Sequence, residues 1–127
     1  MKIYKCDMAD SVSTEYLPMG NGVNYNAGQA MVITSGCAAL ATGTATPTYI
    51  CMGKAAGVTG GYIPAVRVSK SMVYAANLSV AGASLNIGDK VTIAADSVNL
   101  TATTTGGVCE LVGFSGKAAG DEIYFRI

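Results

Sequence analysis

The sequence predicts an all-β fold, a compact barrel or sandwich of about eight short strands, on three observations. Short apolar runs alternate with polar residues, turn signals recur at roughly 8–12-residue spacing, and helical periodicity is scarce. The third observation is internal repetition. Asn26-Ala27-Gly28 is followed by Met31, Ile33, Leu40 and Thr44; sixty residues on, Asn86-Ile87-Gly88 is followed by Val91, Ile93, Leu100 and Thr104. Gly53-Lys54-Ala55-Ala56-Gly57 recurs letter for letter at Gly116-Lys117-Ala118-Ala119-Gly120, and the runs after the two copies close on Arg67-Val68 and Arg126-Ile127. Two units that cannot bury their apolar faces alone are expected to close on each other as one barrel with approximate internal twofold symmetry.

The chain of 127 residues has room for one domain, which at this size buries roughly two thirds of its unfolded surface. We divide it into an extended N-terminal arm (1–25), a first repeat (26–68), a connector (69–85) and a second repeat (86–127). In the arm, Lys2 to Cys6 reads as a strand. Asp7 could cap a short helix over Met8 to Leu17, but frequent Ser, Thr and Asp and the Gly20-Asn21-Gly22 turn favour an extended segment. In the first repeat, strands are expected at Gln29–Thr34 and Cys37–Thr42 about a Ser35-Gly36 turn, at Tyr49–Met52, and at Gly61–Val68. Pro64 should put the last of these at a sheet edge or a bulge.

The connector's apolar clusters, Met72-Val73-Tyr74 and Leu78 to Val80, flank Ala75-Ala76-Asn77 and suggest a hairpin. In the second repeat, Val91, Ile93 and Ala95 point one way, with Lys90 and Thr92 opposite. Asp96-Ser97 is the turn into Val98–Thr103, whose Val98, Leu100 and Ala102 face inward. Val108 to Phe114 is apolar on both faces except at Glu110, so it should be covered on both sides. Ile123, Phe125 and Ile127 lie in a terminal strand.

Composition excludes several functions. Eight basic residues balance eight acidic ones without a Lys/Arg cluster, which argues against nucleic acid as a partner. No apolar run reaches the length of a membrane span, and Met1 to Asp10 carries no apolar signal-peptide core, so a cytoplasmic birthplace is expected. Cys6, Cys37, Cys51 and Cys109 have no CxxC spacing and sit mostly in apolar runs, which makes them reduced core residues. With no histidine, no metal site, cofactor or catalytic set is expected. Asp89, Asp121 and Glu122 follow glycines as turn residues. The Gly-Lys-Ala-Ala-Gly stretches lack the Ser or Thr of a phosphate loop and are expected to be surface turns with exposed lysines. Asn77-Leu78-Ser79 and Asn99-Leu100-Thr101 match the glycosylation triplet but have no secretory signal to act on, and the threonines from Thr101 to Thr105 suit the wet face of a strand.

An interface is easier to build. Tyr4, Tyr16 and Tyr25 supply rigid amphipathic anchors, and Met8, Leu17 and Met19 lie in a stretch without alternation. Ala30 and Val32 are apolar where the second repeat has Lys90 and Thr92, so these eight residues are the candidate capsid or subunit interface. The first repeat is expected to face a partner and the second to face solvent. The layout of an extended arm, strands around Pro47-Thr48-Tyr49-Ile50 and Arg67-Val68, and an ending Ala119-Gly120-Asp121-Glu122-Ile123-Tyr124-Phe125-Arg126-Ile127 resembles the head decoration proteins of tailed bacteriophages. The resemblance implies a structural, non-catalytic virion protein. It would bind the major capsid protein on the outside of an icosahedral head, often as a homotrimer, and hold neighbouring capsomers together. Another virion or cell-surface β-module is the alternative.

Overall fold

A computed structural model describes residues 1–5 and 13–127, in which no helix occurs. Twelve strands follow in order: β1 (Lys2–Lys5), β2 (Thr14–Pro18), β3 (Asn24–Tyr25), β4 (Ala30–Thr34), β5 (Cys37–Leu40), β6 (Tyr49–Cys51), β7 (Ala55–Ala56), β8 (Tyr62–Arg67), β9 (Val73–Asn77), β10 (Lys90–Val91), β11 (Cys109–Phe114) and β12 (Glu122–Arg126). They pair antiparallel into two five-stranded sheets, β2-β8-β6-β4-β5 and β1-β9-β12-β11-β10, with β3 and β7 forming a short ribbon. The chain is all-β, as the alternation requires. Its two main sheets make a sandwich-like arrangement, not the single closed barrel expected from the repetition.

The reason is that each sheet turns back on its own core. Met19, just past β2, bridges in parallel to Ala38 of β5, and Leu78, just past β9, bridges in parallel to Leu100. The first sheet wraps Leu17, Met19, Tyr25, Met31, Ala38, Tyr49, Cys51, Ile63 and Ala65. Every one of these has a counterpart in the second core: Ala76, Leu78, Leu85, Val91, Leu100, Cys109, Leu111, Ile123 and Phe125. Ala30, Ala41 and Ile50 from the first half complete the second core, and paired backbone bonds between Gly43 and Ile93, 2.8 and 3.0 Å, join the halves.

Backbone pairing repeats with the same regularity. Ala30↔Ile50 and Met31↔Tyr49 recur as Lys90↔Glu110 and Val91↔Cys109, and Cys51↔Ala65 recurs as Leu111↔Phe125. The Gly28 N–H donates to the Cys51 carbonyl and the Gly88 N–H to that of Leu111, both at 2.8 Å. The offset is not constant, because Ile33↔Ala38 corresponds to Ile93↔Leu100, a longer excursion in the second hairpin. The identical pentapeptides do not coincide either. Gly22 bonds to Gly57 and Gly82 bonds to Lys117, so Lys117 is the structural counterpart of Gly57, and the letter-for-letter match lies out of register.

The structural repeat starts earlier than the sequence match. Its first strand is β2 in one half, inside the segment read as an arm, and β9 in the other, inside the connector. Pro18↔Tyr62 corresponds to Asn77↔Glu122. Within the N-terminal segment the described residues include β1 and β2, which each belong to a sheet, and Thr14–Pro18 is a strand, not a helix. The connector hairpin is also corrected. β9 is one strand with β1 and β12 on either side, which explains why Val73 to Ala76 are all buried without alternation. β8 is not an edge despite Pro64. The Pro64 nitrogen faces the end of β6, where its carbonyl alone is used, accepting the Met52 N–H at 2.9 Å.

Candidate functional site

The expected interface residues separate sharply by burial. Tyr16 is 68% exposed and Tyr4 is half exposed, with the Tyr4 ring 4.2 Å from that of Tyr124. Leu17, Met19 and Tyr25 belong to the first core, and Ala30 is fully buried in the second. They cannot present a surface on the folded chain. Tyr25 shows why: its hydroxyl accepts the Gly20 N–H at 2.8 Å and donates to the Ala38 carbonyl at 2.6 Å, so the tyrosine is an internal tie. Val32 is half-buried against the second core. Met8 lies outside the described residues. The contrast of Ala30 and Val32 with Lys90 and Thr92 also fails, because Ala30 and Thr92 are both buried, Thr92 sharing a 2.7 Å hydroxyl contact with Thr101.

The exposed apolar residues include Met52, Val58, Tyr62, Val80 and Ile87, which the reading of the arm missed. Alternation along β8 could have found Tyr62, since Ile63 and Ala65 occupy the core side. In the register Tyr16↔Pro64 and Pro18↔Tyr62, these four side chains share one face of the β2/β8 pair. Met52 follows β6 beside Pro64 on that same face. At 50–68% exposure, Tyr16, Tyr62 and Met52 form an uncharged aromatic and thioether patch.

Corresponding positions in the second half are treated differently. There β1 lies along the outer edge of β9, with Lys2↔Ala75 and Lys5↔Val73. Lys2 reaches Glu122 at 3.0 Å, and Tyr4 stacks on Tyr124. The Lys2 ammonium, with the Tyr124 hydroxyl, holds the Glu122 carboxyl below its ordinary range. The second half thus has a covered edge, and the first half has β2 at its rim, met among the described residues only at its Met19 end by Ala38 of β5.

A second surface is formed by the loops Ser79–Gly88 and Ser115–Gly120, tied together by Gly82 N–H to the Lys117 carbonyl and Gly120 N–H to the Leu78 carbonyl, both 2.8 Å. Their charges turn onto the cluster's own backbone. Asp89 accepts the Asn86 N–H at 2.8 Å, Asp121 accepts the Ala118 N–H at 2.9 Å, and Lys117 donates to the Leu85 carbonyl while lying over the Phe114 ring. Lys117 is therefore not the free surface lysine expected of the pentapeptide, whereas Lys54 is exposed. What points outward is Val80, Ala81, Ala83, Ile87, Ala118 and Ala119, held on a hydrogen-bonded frame.

Elsewhere the titratable groups do structural work. Lys90, Glu110 and Arg126 are cross-strand neighbours of alternating sign, the arrangement that favours pairing. Burial tends to raise the Asp96 carboxyl, but N–H bonds from Asn99 and Val98 outweigh it and hold the group below its ordinary value. Burial pushes the Cys109 thiol up to about 12 and raises that of Cys51; both are fully buried, and Cys37 is partly so. Cys6 lies outside the described residues. Among the described residues no group of three or more Cys, Asp or Glu side chains is placed to hold a metal, and no helix is long and apolar enough to cross a membrane. No family model, curated protein or solved structure matches the chain.

Proposed function

We propose that this chain is a structural virion protein that binds the exterior of an icosahedral phage head and stabilises contacts between capsomers. Its partner is the major capsid protein. The resemblance of its layout and C-terminal run to head decoration proteins supplies the class. The observation that carries the reading is the loop surface of the second half, where Val80, Ala81, Ala83, Ile87, Ala118 and Ala119 are exposed, and Lys117 within the loops and Asp89 and Asp121 at their ends are each bonded to backbone. Such a surface can be dehydrated on docking without stranding an ion. Its backbone is already tied, so little ordering entropy is lost when it binds. Many copies on one shell multiply a modest contact by effective concentration. This moves the expected contact from the first half to the second, because Ala30, on which the earlier assignment leaned, is internal.

The test is co-sedimentation of the full chain with purified expanded heads of tailed phages, using wild type, Ile87→Glu and Ala118→Glu. Saturable binding by wild type, weakened at least about tenfold by either charge with an unchanged circular dichroism spectrum, is the expected result. Failure to sediment with any head would sink the reading; binding untouched by both substitutions would refute this choice of surface.

A further inference from the structure

We propose that Asn21-Gly22 is a self-modification site, at which Asn21 loses its side-chain ammonia to give isoaspartate at a rate set by how often the turn holding it opens. The inference concerns a turn of the first half, not the loop cluster, and stands without the head-binding reading.

The reacting groups are adjacent in the chain. The Gly22 nitrogen attacks the Asn21 side-chain carbonyl carbon; a C–N bond forms, the carboxamide C–N bond breaks, and ammonia leaves with the proton that Gly22 gives up. Water then opens the cyclic imide, at the main-chain carbonyl to give isoaspartate or at the side-chain carbonyl to give aspartate. A following glycine leaves the approach unhindered, because it has no Cβ. Asn24, Asn26, Asn77, Asn86 and Asn99 are each followed by a residue with a side chain, and only Asn21 by glycine. Asn21 and Gly22 are both exposed, and nothing lies within 4 Å of where a Gly22 side chain would begin, so water has access to the ring.

The fold restrains this reaction in two ways. With Gly22 at φ 78° and the Val23 N–H donating to the Gly20 carbonyl at 3.4 Å, Gly20–Val23 is a type II turn. Its second residue has ψ near about +120°, which holds the Asn21 Cβ and the Gly22 nitrogen apart about the Cα–C bond, whereas the imide needs them together. The Gly22 N–H is also tied, donating to the Gly57 carbonyl at 3.0 Å while the Gly57 N–H donates to the Val23 carbonyl at 2.7 Å. Gly57 fits so closely that a Cβ there would lie 2.1 Å from the Gly20 carbonyl oxygen, and the Tyr25 hydroxyl fastens the Gly20 N–H. Nucleophile and ring geometry therefore become available together, when the turn lifts off Gly57.

The second half has the same clamp, with the Gly82 N–H on the Lys117 carbonyl, but Ala81 stands where the first half has Asn21, so its turn is inert. Isoaspartate routes the main chain through its Cβ, one carbon longer. A tight turn so lengthened cannot keep both Gly57 bonds and the Tyr25 bond, so conversion loosens the first half irreversibly and gives it a chemical age that the second half lacks.

The test is incubation of the full chain in mildly alkaline buffer, folded and in guanidinium chloride, with peptide mapping, isoaspartyl methyltransferase labelling and amide hydrogen exchange. Asn21 is expected to convert before any other asparagine. In the folded chain it should convert more slowly by the same factor that protects the Gly22 amide from exchange, at least about tenfold. Tyr25→Phe, which releases the Gly20 N–H, should lower both factors together by at least about threefold; the wild-type comparison holds even if that variant folds poorly. Another asparagine reacting first, equal rates in the folded and denatured chains, or a folded rate that does not follow Gly22 exchange would each overturn the proposal.

Discussion

The two halves share a backbone and differ in how they fill and finish it. In the first core, Tyr25 and Tyr49 provide the bulk and their hydroxyls are bonded, Tyr25 to Gly20 and Ala38, Tyr49 to Glu15 at 3.4 Å. In the second, Leu85 and Cys109 take those places and Phe125 stands where the first has Ala65. Bulk has moved from one strand to its neighbours with the register unchanged, in keeping with the tolerance of cores to exchanges that conserve total volume. The edges diverge further: among the described residues β9 is covered by β1, whereas β2 is met only at Met19, by Ala38 of β5. Pairing is fixed by turns and backbone bonds, so selection could alter filling and rim independently.

Removing residues 1–22 breaks the comparison most completely. An arm would be dispensable, but this deletion takes β1 and β2, one strand from each five-stranded sheet, together with Leu17 and Met19 of the first core. The expected outcome is loss of the cooperative unfolding transition and of dispersed amide resonances, and a cleanly folded product would restore the arm. Next in size, Phe125→Ala should cost about 3–5 kcal/mol in denaturant unfolding, since the ring is fully buried and its counterpart in the first half is already an alanine. A loss below about 1 kcal/mol would mean that the second core collapses around the gap.

Tyr25→Phe isolates the hydroxyl that Leu85 lacks. It leaves the Gly20 N–H and the Ala38 carbonyl without their partner and should cost about 1–3 kcal/mol; an unchanged midpoint would show that water substitutes. Gly28→Ala against Gly88→Ala sharpens the turn equivalence. Both glycines have positive φ, 89° and 94°, so each alanine should cost about 1–2 kcal/mol for the left-handed backbone. At Gly28 the new methyl would also lie 2.9 Å from the Met1 carbonyl, whereas nothing lies within 4 Å at Gly88. The Gly28 variant should therefore be clearly the less stable of the two, and equal losses would argue against the close approach of β1.

The smallest expected effect comes from the Met1 amino group, which sits at the seam, donating to the Gly28 carbonyl at 2.6 Å. Burial pushes it down to about 6, against the opposing pull of Asp96. Between that value and 8 the unfolded chain binds more protons than the folded one. Stability should thus rise with pH across this window, by about 1–2 kcal/mol after allowance for partial exposure, and level off on either side. A flat profile, or acetylation of this amine leaving the slope intact, would remove the group from the account.

How far the sequence reveals this depends on which residues are asked. The Ser35-Gly36 turn, both residues at positive φ, and the Asp96-Ser97 turn, with Asp96 accepting the Val98 and Asn99 N–H groups, were legible from turn chemistry. Val91 and Ile93 were legible from alternation. β9 was not, because a strand flanked on both sides and buried on both faces carries no period-two signal. Leu17 and Met19 read as arm residues because their partners, Ile63 and Ala38, are remote in sequence, and Pro64 misled because its ring position, not its presence, decides whether a ladder bond is lost. The surface candidates fared in proportion: the alternation that exposes Tyr16 is local, but the burial of Tyr25 depends on the closure of Met19 onto Ala38.

Among the described residues one thiol lies in each core, Cys51 in the first and Cys109 in the second, at positions that do not correspond. Both are buried and held protonated by their surroundings, so neither reacts until its own half opens. With Cys6 and Cys37 replaced by serine, the two labelling rates become separate clocks, one for each half. Equal rates would mean that the seam at Gly43 and Ile93 makes the molecule open as one cooperative unit; unequal rates would identify which half lets go first.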